Sequence, residues 1–109
     1  MNRIAAATTA GSAHQGFELL RKQHFDVLVL DIRLPDGNGL ELFDTFRDMV
    51  PDIEVILITA HGNIESAVEA MKKGAYDYIT KPFNLGRLEL VIEKAYQRVC
   101  LQRQNRLNC

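Results

Sequence analysis

Apolar residues along the chain alternate between short unbroken runs and spaced arrays. The segments "FDVLVLD" (25–31) and "EVILITA" (54–60) are continuous β-branched and leucine runs of strand length, and "YDYIT" (76–80) is a shorter one. Helical spacing fills the intervals. "GLELFDTFRDMV" sets Leu40, Phe43, Phe46 and Val50 on one face. "IESAVEAMKKG" does the same with Ile64, Ala67, Val68 and Met71, and Gly74 follows as a stop. Pro82 ends the third strand, and Asn84 can cap a last helix bearing Leu85, Leu88, Ile92 and Ala95. The closing stretch "QRVCLQRQNRLN" is polar and basic, and reads as the start of a linker helix.

Strands alternating with helices predict an α/β fold: a parallel sheet with helices on both faces, because right-handed crossovers lay each helix over the sheet. Strands covered on both faces should be unbroken apolar runs, as these are. Ligands bind such sheets at the carboxyl ends of the strands. Asp31, Thr59 and Lys81 stand at those ends, Lys81 just before Pro82.

Composition narrows the class. A chain of 109 residues is one domain; with 47% hydrophobic residues, 25% charged residues and a net charge of −1, it is neither a disordered chain nor a general polyanion binder. No apolar run approaches the roughly 18 residues of a spanning helix, and the N-terminus lacks a signal-peptide pattern, so no membrane association and a cytoplasmic location are expected. Cys100 and Cys109 would stand about 13 Å apart on a continuous helix, too far for a bridge, and are expected to be free thiols. His14, His24 and His61 lack zinc-ligand spacing and are expected at the surface or in caps.

An acid, a hydroxyl and an ammonium at neighbouring strand ends suit a phosphoryl group. A carboxylate can attack phosphorus to give an acyl phosphate, while a hydroxyl and an ammonium take up its oxygens. Each residue also has a plainer role: Asp31 can cap the turn before Pro35, Thr59 can be an ordinary strand residue, and Lys81 can be solvated. Their coincidence at three strand ends favours the phosphoryl reading.

These residues sit in "DIRLPDGNG", "LITAHG" and "GAYDYITKPF". Over residues 17–98 the chain resembles the receiver domains of two-component response regulators, most of all those of enhancer-binding transcription activators. The resemblance implies a flavodoxin-like fold and no enzyme activity beyond autocatalytic phosphoryl acceptance. Asp31 would accept the group from the phosphohistidine of a sensor histidine kinase. Thr59 would be the switch hydroxyl, Lys81 its charged partner, the Lys81–Pro82 peptide cis, and Tyr78 the switch aromatic. It also implies dimerisation through residues 64–96 and, in a longer protein, ATPase and DNA-binding output domains, with no nucleic-acid contact by this domain itself. On this reading residues 1–98 are an incomplete receiver and 99–109 the start of the linker.

A complete receiver opens with a strand ending in two adjacent acids that hold Mg²⁺, followed by a helix. The first twenty residues here match the family's second strand and helix instead, leaving about four strands and no acidic pair. Asp31 and the backbone carbonyl of Arg33 remain as metal ligands, so Mg²⁺ is expected to bind weakly or not at all. The exposed edge of "VLVLD" could be covered by "RIAAATT" from the same chain, bringing Thr8 and Thr9 to where the acids would be, or by a second chain; self-association is expected. Two other functions stay open: an interaction module working without phosphorylation, and a flavin carrier using "ATTAGSAHQG" as a phosphate loop.

Overall fold

The computed structural model describes residues 7–34, 37–60 and 64–104. In chain order the elements are β1 (Ala7–Ala10), α1 (Ala13–Lys22), β2 (Val27–Asp31), β3 (Arg33–Leu34), β4 (Gly37–Asn38), α2 (Gly39–Met49), β5 (Glu54–Thr59), α3 (Ile64–Lys73), β6 (Asp77–Thr80) and α4 (Leu85–Gln104). Among the described residues the main sheet has four parallel strands in the order β1-β2-β5-β6, and β3 and β4 form a small antiparallel pair.

The strand order follows the chain order, with every step across the sheet in the same direction. Right-handed crossovers then put α1, α2 and α3 on one face. The core has that arrangement. Leu28, Leu30, Val55 and Leu57 pack with Leu20 of α1, Phe43 and Phe46 of α2, and Ala67 and Ala70 of α3. The alternate residues Val27, Val29, Ile56, Ile58 and Ile79 pack with Val91 and Ala95 of α4. Since α4 follows the last strand, no crossover constrains its side, and it covers the face the other helices leave open.

Helix ends carry their own signals. Ser12 caps α1, its hydroxyl accepting from Gln15 N at 3.0 Å, while the Gln15 side-chain oxygen accepts from Gly11 N at 2.6 Å. These two bonds occupy the Gly11 and Gln15 N–H groups of the "ATTAGSAHQG" loop proposed above as a phosphate cradle, which counts against the flavin reading. Asn84 starts α4, accepting from Arg87 N at 2.7 Å. Gly74, at φ +112°, turns the chain out of α3 in the left-handed region open to glycine.

Three expectations need correction. Val68 is 42% exposed, and Ala70 is buried beside the expected Ala67; Leu85 is 69% exposed, and α4 buries Val91 and Val99 along with the expected Ala95. In both helices the rest of the expected face does meet the core, Met71 on α3 and Leu88 and Ile92 on α4 being half-buried against it. Cys100 is disulfide-bonded rather than free; the 13 Å separation assumed a helix running to Cys109, which lies outside the described residues, and α4 is described only to Gln104. Thr8 and Thr9 do not reach the level of Asp31. The β1–β2 register sets Thr8 opposite Leu28, Thr9 opposite Val29 and Ala10 opposite Leu30. The strand edge is thus covered within the chain, as one of the two routes required.

Candidate functional site

β2 ends in Asp31, β5 in Thr59, and β6 runs into Lys81, so the three candidate residues meet at one rim of the sheet. Backbone bonds fix that rim: Ile32 N donates to Ile58 O at 3.0 Å, and Lys81 N to Thr59 O at 2.7 Å. The Lys81–Pro82 peptide is cis. The Lys81 side chain crosses above β5 and its Nζ lies 2.6 Å from Asp31 Oδ2. The other carboxylate oxygen, Oδ1, accepts from Arg33 N at 2.9 Å.

The turn after Asp31 is held close. Gly39 N donates to Ile32 O at 2.7 Å, and a Cβ on Gly39 would lie 2.6 Å from the carbonyl oxygen of Asp31. Only glycine lets the start of α2 approach this backbone. Asn38 caps that helix, its side chain accepting from Leu40 N at 2.8 Å.

Thr59 is 1% exposed, and its hydroxyl donates to Ala60 O at 3.0 Å rather than to Asp31. The structure therefore brings Asp31 and Lys81 into direct contact and leaves Thr59 on the strand between them, its hydroxyl bonded to the carbonyl of the next residue. Asp31 and Lys81 retain 29% and 50% side-chain exposure, so a solute can reach the pair. Tyr78 is half-buried against the cluster under α1–α3.

Mg²⁺ needs several oxygen ligands in near-octahedral geometry. Among the described residues no three His, Cys, Asp or Glu side chains cluster to hold a metal. Both oxygens of Asp31 already accept from protein donors, and Arg33, whose carbonyl was the other expected ligand, is paired with Asn38 in the β3–β4 ladder. The described donors alone do not fit the ion.

Two buried carboxylates lie at the opposite end of the sheet, and sequence reasoning passed over both. Glu54, 4% exposed, pairs through Oε2 with Arg98 Nε of α4 at 3.1 Å, and the Arg98 guanidinium sits 6.0 Å from the Tyr76 ring centre. Burial pushes the Glu54 carboxyl above its ordinary range, against the opposing pull of Arg98 and Arg47. Asp26, 2% exposed, lies 3.0 Å from Nε2 of the exposed His24. The available signal was an acid at the start of each unbroken apolar run.

The sequence matches the response regulator receiver domain over residues 2–93. It is 40% identical over 87 residues to the response regulator protein PilR of Pseudomonas aeruginosa, covering 80% of this chain and 20% of that protein. It is also 40% identical over 103 residues to the nitrogen assimilation regulatory protein NtrX of Azorhizobium caulinodans, covering 93% of this chain and 23% of that one. The chain thus spans about a fifth of the length of these curated relatives. The crystal structure of NtrX from Brucella abortus with ADP superposes with a TM-score of 0.82 at 38% identity, over 89% of this chain and 22% of that one. The beryllofluoride-activated NtrC4 receiver domain dimer gives 0.74 at 38% identity, over 83% of this chain and 74% of that one. The parallel sheet, the acid and lysine joined across its rim, and these matches agree: the chain belongs to the response regulator receiver domain family.

Proposed function

We propose that this receiver accepts a phosphoryl group on Asp31 from the phosphohistidine of a sensor histidine kinase, and passes the signal to output domains of a longer, cytoplasmic transcription activator. The observation that carries the reading is the 2.6 Å contact between Lys81 Nζ and Asp31 Oδ2 at adjoining strand ends. In the transfer a carboxylate oxygen of Asp31 bonds to phosphorus, the P–N bond to histidine breaks, and its electron pair stays on the imidazole. Lys81 neutralises one phosphoryl oxygen. Thr59 supplies a hydroxyl once it rotates away from Ala60 O, and Tyr78 responds on the same face. Residues 1–98 then form the receiver and 99–109 begin the connection onward; α4 crosses that boundary as one helix. The domain turns over no substrate, and ATPase and DNA-binding work belongs to the attached domains.

A second reading is favoured by the lack of a metal-holding side-chain cluster among the described residues: a module that associates through residues 64–96 without phosphorylation. Labelling by a small acyl phosphate, followed by intact mass, separates the two. The wild-type chain should gain one phosphoryl group and Asp31→Asn none, with both folded by circular dichroism. Equal labelling of the two proteins would remove Asp31 as acceptor; no labelling of the wild type would favour the second reading.

A further inference from the structure

The apolar residues that seat α4 fall in two rows of equal spacing. Val91, Ala95 and Val99 are buried, Leu88, Ile92 and Tyr96 are half-buried, and in each row the residues are four apart. Moving α4 by one such step, about 6 Å along its axis with a turn of about 40°, lays both rows on the sheet again, with Val91 or Val99 in the place of Ala95. Apolar packing therefore separates these registers only through the size of Ala95. The start of the helix can take up such a step, since Leu85, Gly86 and Arg87 are all exposed and glycine is a weak helix former.

A third row separates the registers by charge. Leu90, Lys94, Arg98 and Gln102 repeat at the same spacing, and Arg98 is the member that meets Glu54 at the start of β5. Its Nε lies 3.1 Å from Glu54 Oε2, and its guanidinium is 6.0 Å from the Tyr76 ring centre. Glu54 is buried, so leaving it without that cation is costly. One step toward the start of the helix would put neutral Gln102 there. One step the other way would put Lys94 there, which keeps the charge but has neither the planar fork for the carboxylate nor a face for the ring. Arg47 also acts on Glu54, but it belongs to α2 and stays in place whichever turn α4 presents.

We propose that the Glu54–Arg98 pair selects which turn of α4 packs on the sheet. The pair positions the helix rather than adding stability, because apolar side chains of similar size in its place need cost nothing. Its consequence is where α4 points: a helix one step out of register leaves the sheet about 6 Å displaced and turned by about 40°. That this reaches attached domains rests on the reading of residues 99–109 as the connection onward. The register itself depends neither on that reading nor on Asp31 as acceptor.

The test is the set of nuclear Overhauser cross-peaks between the α4 methyls and those of Val27, Val29, Ile56 and Ile58, recorded on the full chain. The wild type should give one set, with Ala95 in contact. Glu54→Leu/Arg98→Leu should melt near the wild type yet show a second set, with Val91 or Val99 in the place of Ala95, at roughly a tenth of the intensity of the first. The exchange Lys94→Arg/Arg98→Lys keeps the composition, the charge and both apolar rows. It should move the helix one step, so that Val91 takes the place of Ala95 in the main set, and adding Glu54→Gln should remove that preference. A single wild-type set in the exchange variant would overturn the inference, since apolar packing would then fix the register alone; because it keeps every charge, it decides the matter even where the apolar variant does not fold. Either result leaves the labelling of Asp31, and with it the acceptor reading, untouched.

Discussion

At the scale of single residues, the ends of the sheet treat their carboxylates oppositely. Asp31 sits at an accessible rim with a lysine against it, whereas Glu54 is enclosed at the other end with Arg98 as partner. The ion pair favours ionised Glu54, but the cost of removing its charge from water is the larger effect, and the carboxyl is raised above its ordinary value of 4.5. The folded state therefore holds this proton more tightly than the unfolded chain. Its contribution to stability is full below that ordinary value and declines as pH rises through the raised folded one. Melting curves of wild type and Glu54→Gln from acid to neutral pH check this: the wild type should lose stability relative to the variant as pH rises, and parallel curves would contradict it. The acidic rim residue was legible because an acid closing a run of four apolar residues is conspicuous. The Glu54–Arg98 contact was not, because it joins residues that only the folding of α4 onto the sheet brings together.

Among the elements, β2, β5 and β6 were legible from unbroken apolar runs, and α2 from Phe43 and Phe46. β1 was identified as a strand, but its register was not, since Ala7–Ala10 is a run of alanine and threonine with no large side chain to fix a pairing level. The β3–β4 pair escaped notice because two-residue strands have no periodicity. On α3 and α4 the expected Ala67 and Ala95 are fully buried, but size misplaced the edge of each face: small Ala70 is fully buried beside Ala67, while Val68 and Leu85 stay outside. Close approach also governs the start of α2. Gly39→Ala would force its Cβ against the Asp31 carbonyl, and backbone cannot yield as a flexible side chain can. The expected loss is about 1–3 kcal/mol in denaturant unfolding. The same substitution should slow labelling of Asp31, because the displaced loop carries the Arg33 N–H; unchanged stability would show that α2 can shift without cost.

Over the whole molecule, one arrangement sets the rest. With β1 beside β2 in the same chain, all steps of the sheet run one way, three helices share a face, and the level of Asp31 lies beyond Ala10 rather than beside Thr8 or Thr9. A single chain then builds the rim, with Lys81 as the charge on Asp31. Association remains open to the outer edge of β1 and to the 64–96 surface, but the rim does not depend on it. The direct measurement is the nuclear Overhauser pattern between β1 and β2, recorded on uniformly labelled protein and again, isotope-filtered, on a mixture of labelled and unlabelled chains. Backbone cross-peaks linking Thr9 with Val29 and Ala10 with Leu30 in the first sample, and their absence between chains in the second, are the predicted result. The same cross-peaks appearing only between chains, or a register that brings Thr9 level with Asp31, would contradict it.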